Sequence, residues 1–129
     1  MKIVVIGGSG HIGSFLIPRL VRGGHDVINI SRGTSAAYVD APEWQQVRQV
    51  TADRHLEDRE GTFGDRVAGL GADVVIDLVC FTLDSATALV NRLRGETGAS
   101  AALRVDLALW CQSEVAHLRG VGLHRGAAG

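Results

Sequence analysis

Three features of this 129-residue chain predict an α/β fold with a doubly wound parallel sheet. Near-continuous apolar runs at residues 3–6 and 74–79 have the β-branched composition of strands buried on both faces. A glycine cluster stops the first run, and each run is followed by apolar residues at helical spacing. Strand and helix alternate through residue 94, which implies parallel strands, about four of them, joined by right-handed crossovers.

Ile3, Val4, Val5 and Ile6 form the first strand, which runs into Gly7-Gly8-Ser9-Gly10. Ile12, Phe15, Leu16, Leu20 and Val21 then recur at helical spacing over 11–22, and Gly23-Gly24 closes that helix. Pro18 lies inside it and should remove one backbone hydrogen bond and bend the axis. Val27, Ile28 and Ile30 make a second strand ending at Ser31-Arg32-Gly33, and the small, polar stretch 34–42 reads as a loop. A weaker third strand at 47–51 ends at Asp53-Arg54. Charged residues follow as far as Phe63, after which Val67, Ala68 and Leu70 suggest a short helix closed by Gly69 and Gly71. Residues 72–80 form the next buried strand. A helix begins at Asp84-Ser85 and carries Ala86, Leu89, Val90 and Leu93 toward Gly95.

Beyond Gly95 the pattern changes. Leu103, Val105, Leu107 and Leu109 alternate like a strand, while Leu103, Leu107, Trp110, Cys111, Val115 and Leu118 fit a helix equally well. The expected organisation is a unit over 1–94 and a divergent tail over 95–129 with a frayed end. The apolar edge of the strand at 74–79 should be exposed unless the tail covers it. Such an edge is a template for pairing, so either residues 101–111 dock there or the chain self-associates.

A composition of 46% hydrophobic and 21% charged residues, with 17 glycines and two prolines, is that of one soluble globular domain. Its 13 basic and 14 acidic residues give a net charge of -1, no footprint for nucleic acid or an anionic membrane. No apolar run reaches the ~20 residues that span a bilayer, and a strand rather than a signal peptide follows Lys2. Two cysteines, Cys80 and Cys111, do not call for a disulfide framework, so a reducing cytoplasm is the expected setting. His25, His55, His117 and His124 lack metal-ligand spacing, and no metal site is expected. Neither a G-x-S-x-G elbow nor a Gly-Lys-Ser/Thr phosphate loop occurs. Tyr38 is the only tyrosine and Lys2 the only lysine.

Gly7-Gly8-Ser9-Gly10-His11-Ile12-Gly13 sits between a strand and a helix, the setting in which spaced glycines bind a dinucleotide. Gly7 permits the tight turn, Gly10 lets a pyrophosphate approach the backbone, and Gly13 lets the helix pack on the strand. The helix N-terminus offers unpaired N–H groups to the phosphates.

In this G-x-x-G-x-x-G spacing, with Ser31-Arg32-Gly33, Ala52-Asp53-Arg54 and residues 73–82, the chain resembles the extended or atypical short-chain dehydrogenase/reductases, the NAD(P)-dependent epimerase/dehydratase group. The resemblance covers residues 1 to about 94 and implies the N-terminal part of a Rossmann fold. By this resemblance Gly7, Gly10, His11, Ile12 and Gly13 are the pyrophosphate turn, and Ser31 and Arg32 select at the adenosine ribose. An arginine there can pair with a 2′-phosphate, which favours NADP over NAD; the alternative is a solvated loop arginine. Asp53, with Arg54 beside it, is either the adenine-edge contact or a turn aspartate capping the next segment. Leu78, Val79, Cys80 and Phe81 would pass beneath the ribose and nicotinamide. Asp77, inside an apolar run, needs a partner.

Family members continue through a fifth strand and a helix bearing Tyr-x-x-x-Lys to a substrate domain, and this chain departs from that pattern after Gly95. No catalytic residue is therefore assigned. Three readings follow: a truncated or frame-shifted epimerase/dehydratase-like product, a stand-alone NADP-binding module that reports redox state to a partner, or a reductase half completed by another chain.

Overall fold

The computed structural model describes residues 1–34, 36–79 and 82–94, and the backbone of 103–104. β1 (Lys2–Ile6) leads through α1 (His11–Arg22) to β2 (Asp26–Ser31), and a 3-10 turn at Pro42–Gln46 leads to β3 (Arg48–Thr51). Two short helices, α2 (Arg54–Glu60) and α3 (Phe63–Gly69), precede β4 (Val74–Asp77), α4 (Leu83–Leu93) and the two-residue β5 (Leu103–Arg104). All pairings are parallel, in the order β3-β2-β1-β4-β5. This is the α/β sheet expected from the alternation, its four main strands extended by β5. The chain winds outward from β1 to β3, then crosses back to start β4 on the other side of β1. In such sheets the crevice beyond the strand ends at that reversal is where ligands bind.

Each face of the sheet is covered. Val4 and Ile6 of β1 pack with Ile28, Ile30, Phe63, Val67, Val75, Leu89 and Leu93 on the α3–α4 side. Ile3 and Val5 turn the other way, to Ile17 of α1, Val27, Val47 and Ile76. This two-sided burial is why β1 reads as an unbroken apolar run. Each fully buried Val or Ile contributes roughly 1.5–3 kcal/mol.

Several expectations are corrected. The strand predicted over 72–80 is Val74–Asp77. Before it, Asp73 is fastened to the start of β1, its N–H donating to the Lys2 carbonyl (2.8 Å) and its Oδ2 accepting from the Lys2 N–H (2.8 Å). After it, the Asp77 side chain accepts from the Val79 N–H (3.2 Å) and turns the chain out of the sheet. The charged stretch before Phe63 contains α2, which apolar periodicity did not signal because Arg54 is its one buried residue. Asp53 caps that helix by accepting from the Leu56 N–H (3.1 Å). Arg66 of α3 grips Glu57 of α2 through Nε (2.8 and 2.9 Å), which holds the guanidinium above its ordinary pKa. α1 runs through a buried Pro18 without interruption. In the tail, the strand reading holds at Leu103 and Arg104, which pair with Ile76 and Asp77, so the edge of β4 is partly covered. The remainder of 95–129 lies outside the described residues. Among the described residues no helix is long and apolar enough to cross a membrane.

Candidate functional site

A cavity of about 290 Å³ opens beyond the C-terminal ends of the strands. Gly7, Ser9 and Gly10 form one wall; Ser31, Arg32, Gly33, Thr34 and Tyr38 form the second; Ala52, Asp53, Arg54 and His55 form the third. Ile6 and Ile30 supply an apolar base, and Val79 closes the side toward β4.

The first wall is backbone. The Gly7 N–H donates to the Ile30 carbonyl (2.8 Å), and φ of +81° then turns the chain, a conformation that favours glycine. A Cβ at Gly7 would also collide with the Val79 side chain, and one at Gly13 would collide with the Gly8 backbone. Gly10 differs. The one atom an added Cβ would crowd is the Gly7 carbonyl oxygen at 3.3 Å, a tight contact but without the overlap found at Gly7 and Gly13. Gly10 is the N-cap of α1, supplies no side-chain acceptor, and is followed by a first turn free of acidic residues. The first intrahelical bond is from the Ser14 N–H to the Gly10 carbonyl (3.0 Å), which leaves the N–H groups of His11, Ile12 and Gly13 ahead of it. Uncapped N–H groups and the helix dipole together favour an anion.

Buried polar side chains hold that turn. Asn29 of β2, 1% exposed, accepts from the Gly8 N–H (2.9 Å) and donates to Gln49 Oε1 (2.9 Å). Ser14 Oγ donates to the Gly10 carbonyl (2.7 Å) and accepts from the Tyr38 N–H (2.8 Å), which docks the loop after β2 onto α1. The His11 ring meets Tyr38 edge-on at 5.1 Å.

On the second wall, Ser31 Oγ accepts from the Gly33 N–H (3.3 Å), and Gly33 adopts φ of +75°. Arg32 is exposed and makes no ion pair among the described residues. On the third wall, Asp53 lines the cavity while its carboxylate caps α2. Arg54 also lines it, but its guanidinium is buried: Nη1 pairs with Asp77, Nε with Asp58 (3.2 Å), and the group lies 4.9 Å over the Phe63 ring.

The structure thus brings Gly7, Gly10, Ser31, Arg32, Asp53, Arg54 and Val79 to one cavity, with His11, Ile12 and Gly13 at the adjoining helix start. Leu78 is partly buried and packs against the core cluster on the α1 side, and Cys80 and Phe81 lie outside the described residues. Sequence reasoning missed Asn29, Ser14, Tyr38 and His55. The first two had a usable signal: a polar residue inside an apolar strand, or on the buried side of a helix, requires a partner. Among the described residues no cluster could hold a metal ion.

Fold and site define a Rossmann-type α/β domain whose first crossover begins with an uncapped glycine turn. The model of the NAD dependent epimerase/dehydratase family matches residues 3–90, and the chain belongs to that family. In fold it is similar to the Bordetella bronchiseptica enzyme WbmH, solved with NAD+, at 16% identity and a TM-score of 0.54, over 74% of this chain and 35% of that one. It is similar as well to the UDP-glucose 4-epimerase of Bifidobacterium longum, solved with NAD+ and UDP, at 19% identity and a TM-score of 0.54, over 74% and 34%. The Thermus thermophilus UDP-glucose 4-epimerase, solved with NAD, gives 19% identity and a TM-score of 0.56, over 74% and 34%. The chain therefore spans about a third of the length of these structures. No curated protein matches it.

Proposed function

We propose that residues 1–94 bind a nicotinamide dinucleotide in this cavity, with the diphosphate on the N–H groups of His11, Ile12 and Gly13 and the adenosine toward Arg32 and Asp53. The observation that carries this reading is Gly10. It stands at the uncapped start of a helix and on the wall of the cavity, and an added Cβ there would crowd only the Gly7 carbonyl oxygen among the described residues. The three similar structures solved with NAD or NAD+ support the class of ligand.

Arg32 favours NADP over NAD, since its exposed guanidinium can form a charge-assisted pair with a 2′-phosphate. Titration of the purified chain with NADPH and NADH tests both statements. Tighter binding of NADPH is expected; binding of neither would remove the reading, and equal affinities would remove the role of Arg32.

A bound nicotinamide supplies hydride transfer, but moving the hydroxyl proton of an alcohol needs an acid or base beside it. Tyr38 sits on the wall with Arg32, and Lys2 begins β1 about 13 Å of strand away from the cavity end. That separation favours a second reading, a dinucleotide-binding sensor or interaction module without turnover of its own. Chain mixed with NADPH and a panel of ketones, aldehydes and nucleotide sugars should leave the cofactor absorbance unchanged. Oxidation that depends on the chain would contradict this. Association through the part of the β4 edge that β5 leaves unpaired belongs to the same reading, and sedimentation of the purified chain tests it.

A further inference from the structure

The third wall of the cavity rests on a buried ion pair between the start of α2, which follows β3, and the end of β4. β3 and β4 are separated in the sheet by β2 and β1. Arg54 follows the exit of β3, Asp77 ends β4, and the Nη1 of the first meets the Oδ2 of the second. Arg54 is 6% exposed and Asp77 3%. The Arg54 Nε reaches back to Asp58 (3.2 Å), and Asp58 accepts from Ser85 Oγ (2.7 Å) in the first turn of α4. One guanidinium therefore joins α2, β4 and α4 beneath the cavity.

A buried ion pair is a poor means of adding stability, because desolvation offsets its attraction and apolar residues of similar volume often serve as well. Its value lies in where it fixes atoms. The Asp77 carboxylate is divided: Oδ2 takes Arg54, and Oδ1 accepts from the Val79 N–H (3.2 Å). Val79 lies against Gly7, where an added Cβ would strike it, and both residues line the cavity. The line of contact runs from Arg54 through Asp77 to Val79 and ends at the glycine turn.

We infer that Arg54 is a positioning residue for ligand binding: its guanidinium, engaged with Asp77, holds that carboxylate so that the β4 exit seats Val79 against the turn that receives the diphosphate. The inference rests on the dinucleotide reading, and its test separates the two. Either single apolar substitution would strand a buried charge and unfold the chain, so the variants are Arg54→Lys, which keeps the charge, and the double variant Arg54→Met/Asp77→Leu, which removes both. Melting and NADPH affinity are measured on each beside the parent. A lysine cannot span Asp77 and Asp58 as the guanidinium fork does, so a folded Arg54→Lys should bind about threefold more weakly. The double variant should melt near the parent yet bind about tenfold more weakly, within the range for coupled neighbours. Either variant, folded and with the parent's affinity, overturns the inference and leaves the pair as a brace. Failure of the parent itself to bind NADPH overturns the dinucleotide reading, and the inference with it.

Discussion

The glycine turn after β1 and the strand exits after β3 and β4 face one another across a single cavity, yet they are built from different materials. The turn is backbone: its shape is set by a positive φ at Gly7, the Gly13–Gly8 approach and a helix start that no side chain caps. The opposite side is charge: Arg54, Asp77, Asp58 and Ser85 form one connected network, and Asp53 is spent on capping α2. A backbone wall presents N–H donors to a ligand and leaves no room for added atoms at Gly7 or Gly13. A side-chain wall can be altered piece by piece, with effects that depend on which partner is left behind.

Substitutions that break one wall at a time should sharpen this contrast. Gly13→Val is expected to be the most damaging, because its side chain would enter the space of the Gly8 backbone, which cannot give; a loss of about 3 kcal/mol or more should appear in urea unfolding. Asn29→Leu leaves the buried Gly8 N–H without its acceptor and should cost about 2 kcal/mol by the same measurement. On the side of ligand selection, Arg32→Asp should leave the melt unchanged and shift the NADPH-to-NADH preference by about tenfold, or ~1.4 kcal/mol, toward NADH. Asp53→Ala should have the smallest effect, about 1 kcal/mol from loss of the α2 cap. Its affinity for NADPH, read alongside, shows whether the same carboxylate also serves the adenine: an unchanged value assigns it to the cap alone.

The contrast also explains what could be read from the sequence. The turn was legible because glycine spacing, a preceding β-branched strand and a following amphipathic helix are local patterns, each within a few residues of the next. The parallel direction of the main strands followed from the alternation of elements in the same way. The charged wall was not legible, since Arg54 and Asp77 are 23 residues apart and no local pattern says that one reaches the other across two intervening strands. Asp77 stood out as a carboxylate in an apolar run that needed a partner. Arg54 read as a companion of Asp53 at the ligand; it lines the cavity beside Asp53, while its guanidinium is buried in the pair with Asp77. α2 escaped notice for a related reason: a helix whose single buried residue is an arginine has no apolar stripe to betray it. Tyr38 was seen only as the sole tyrosine, and its place on the cavity wall depends on a hydrogen bond to Ser14 from a loop with no periodicity.

The most direct test of the dinucleotide reading is a paired NADPH titration of the parent chain and Gly10→Val, followed by intrinsic fluorescence with unfolding curves recorded on both. An added Cβ at Gly10 would press on the Gly7 carbonyl at 3.3 Å and valine is a poor N-cap, so the variant should lose about 1–2 kcal/mol and still fold. Its side chain would nevertheless occupy the approach to the N–H groups of α1, so the parent should bind and the variant should lose at least about a hundredfold in affinity, ~2.7 kcal/mol. A folded Gly10→Val that binds NADPH as tightly as the parent would contradict the assignment of the glycine turn as the diphosphate site.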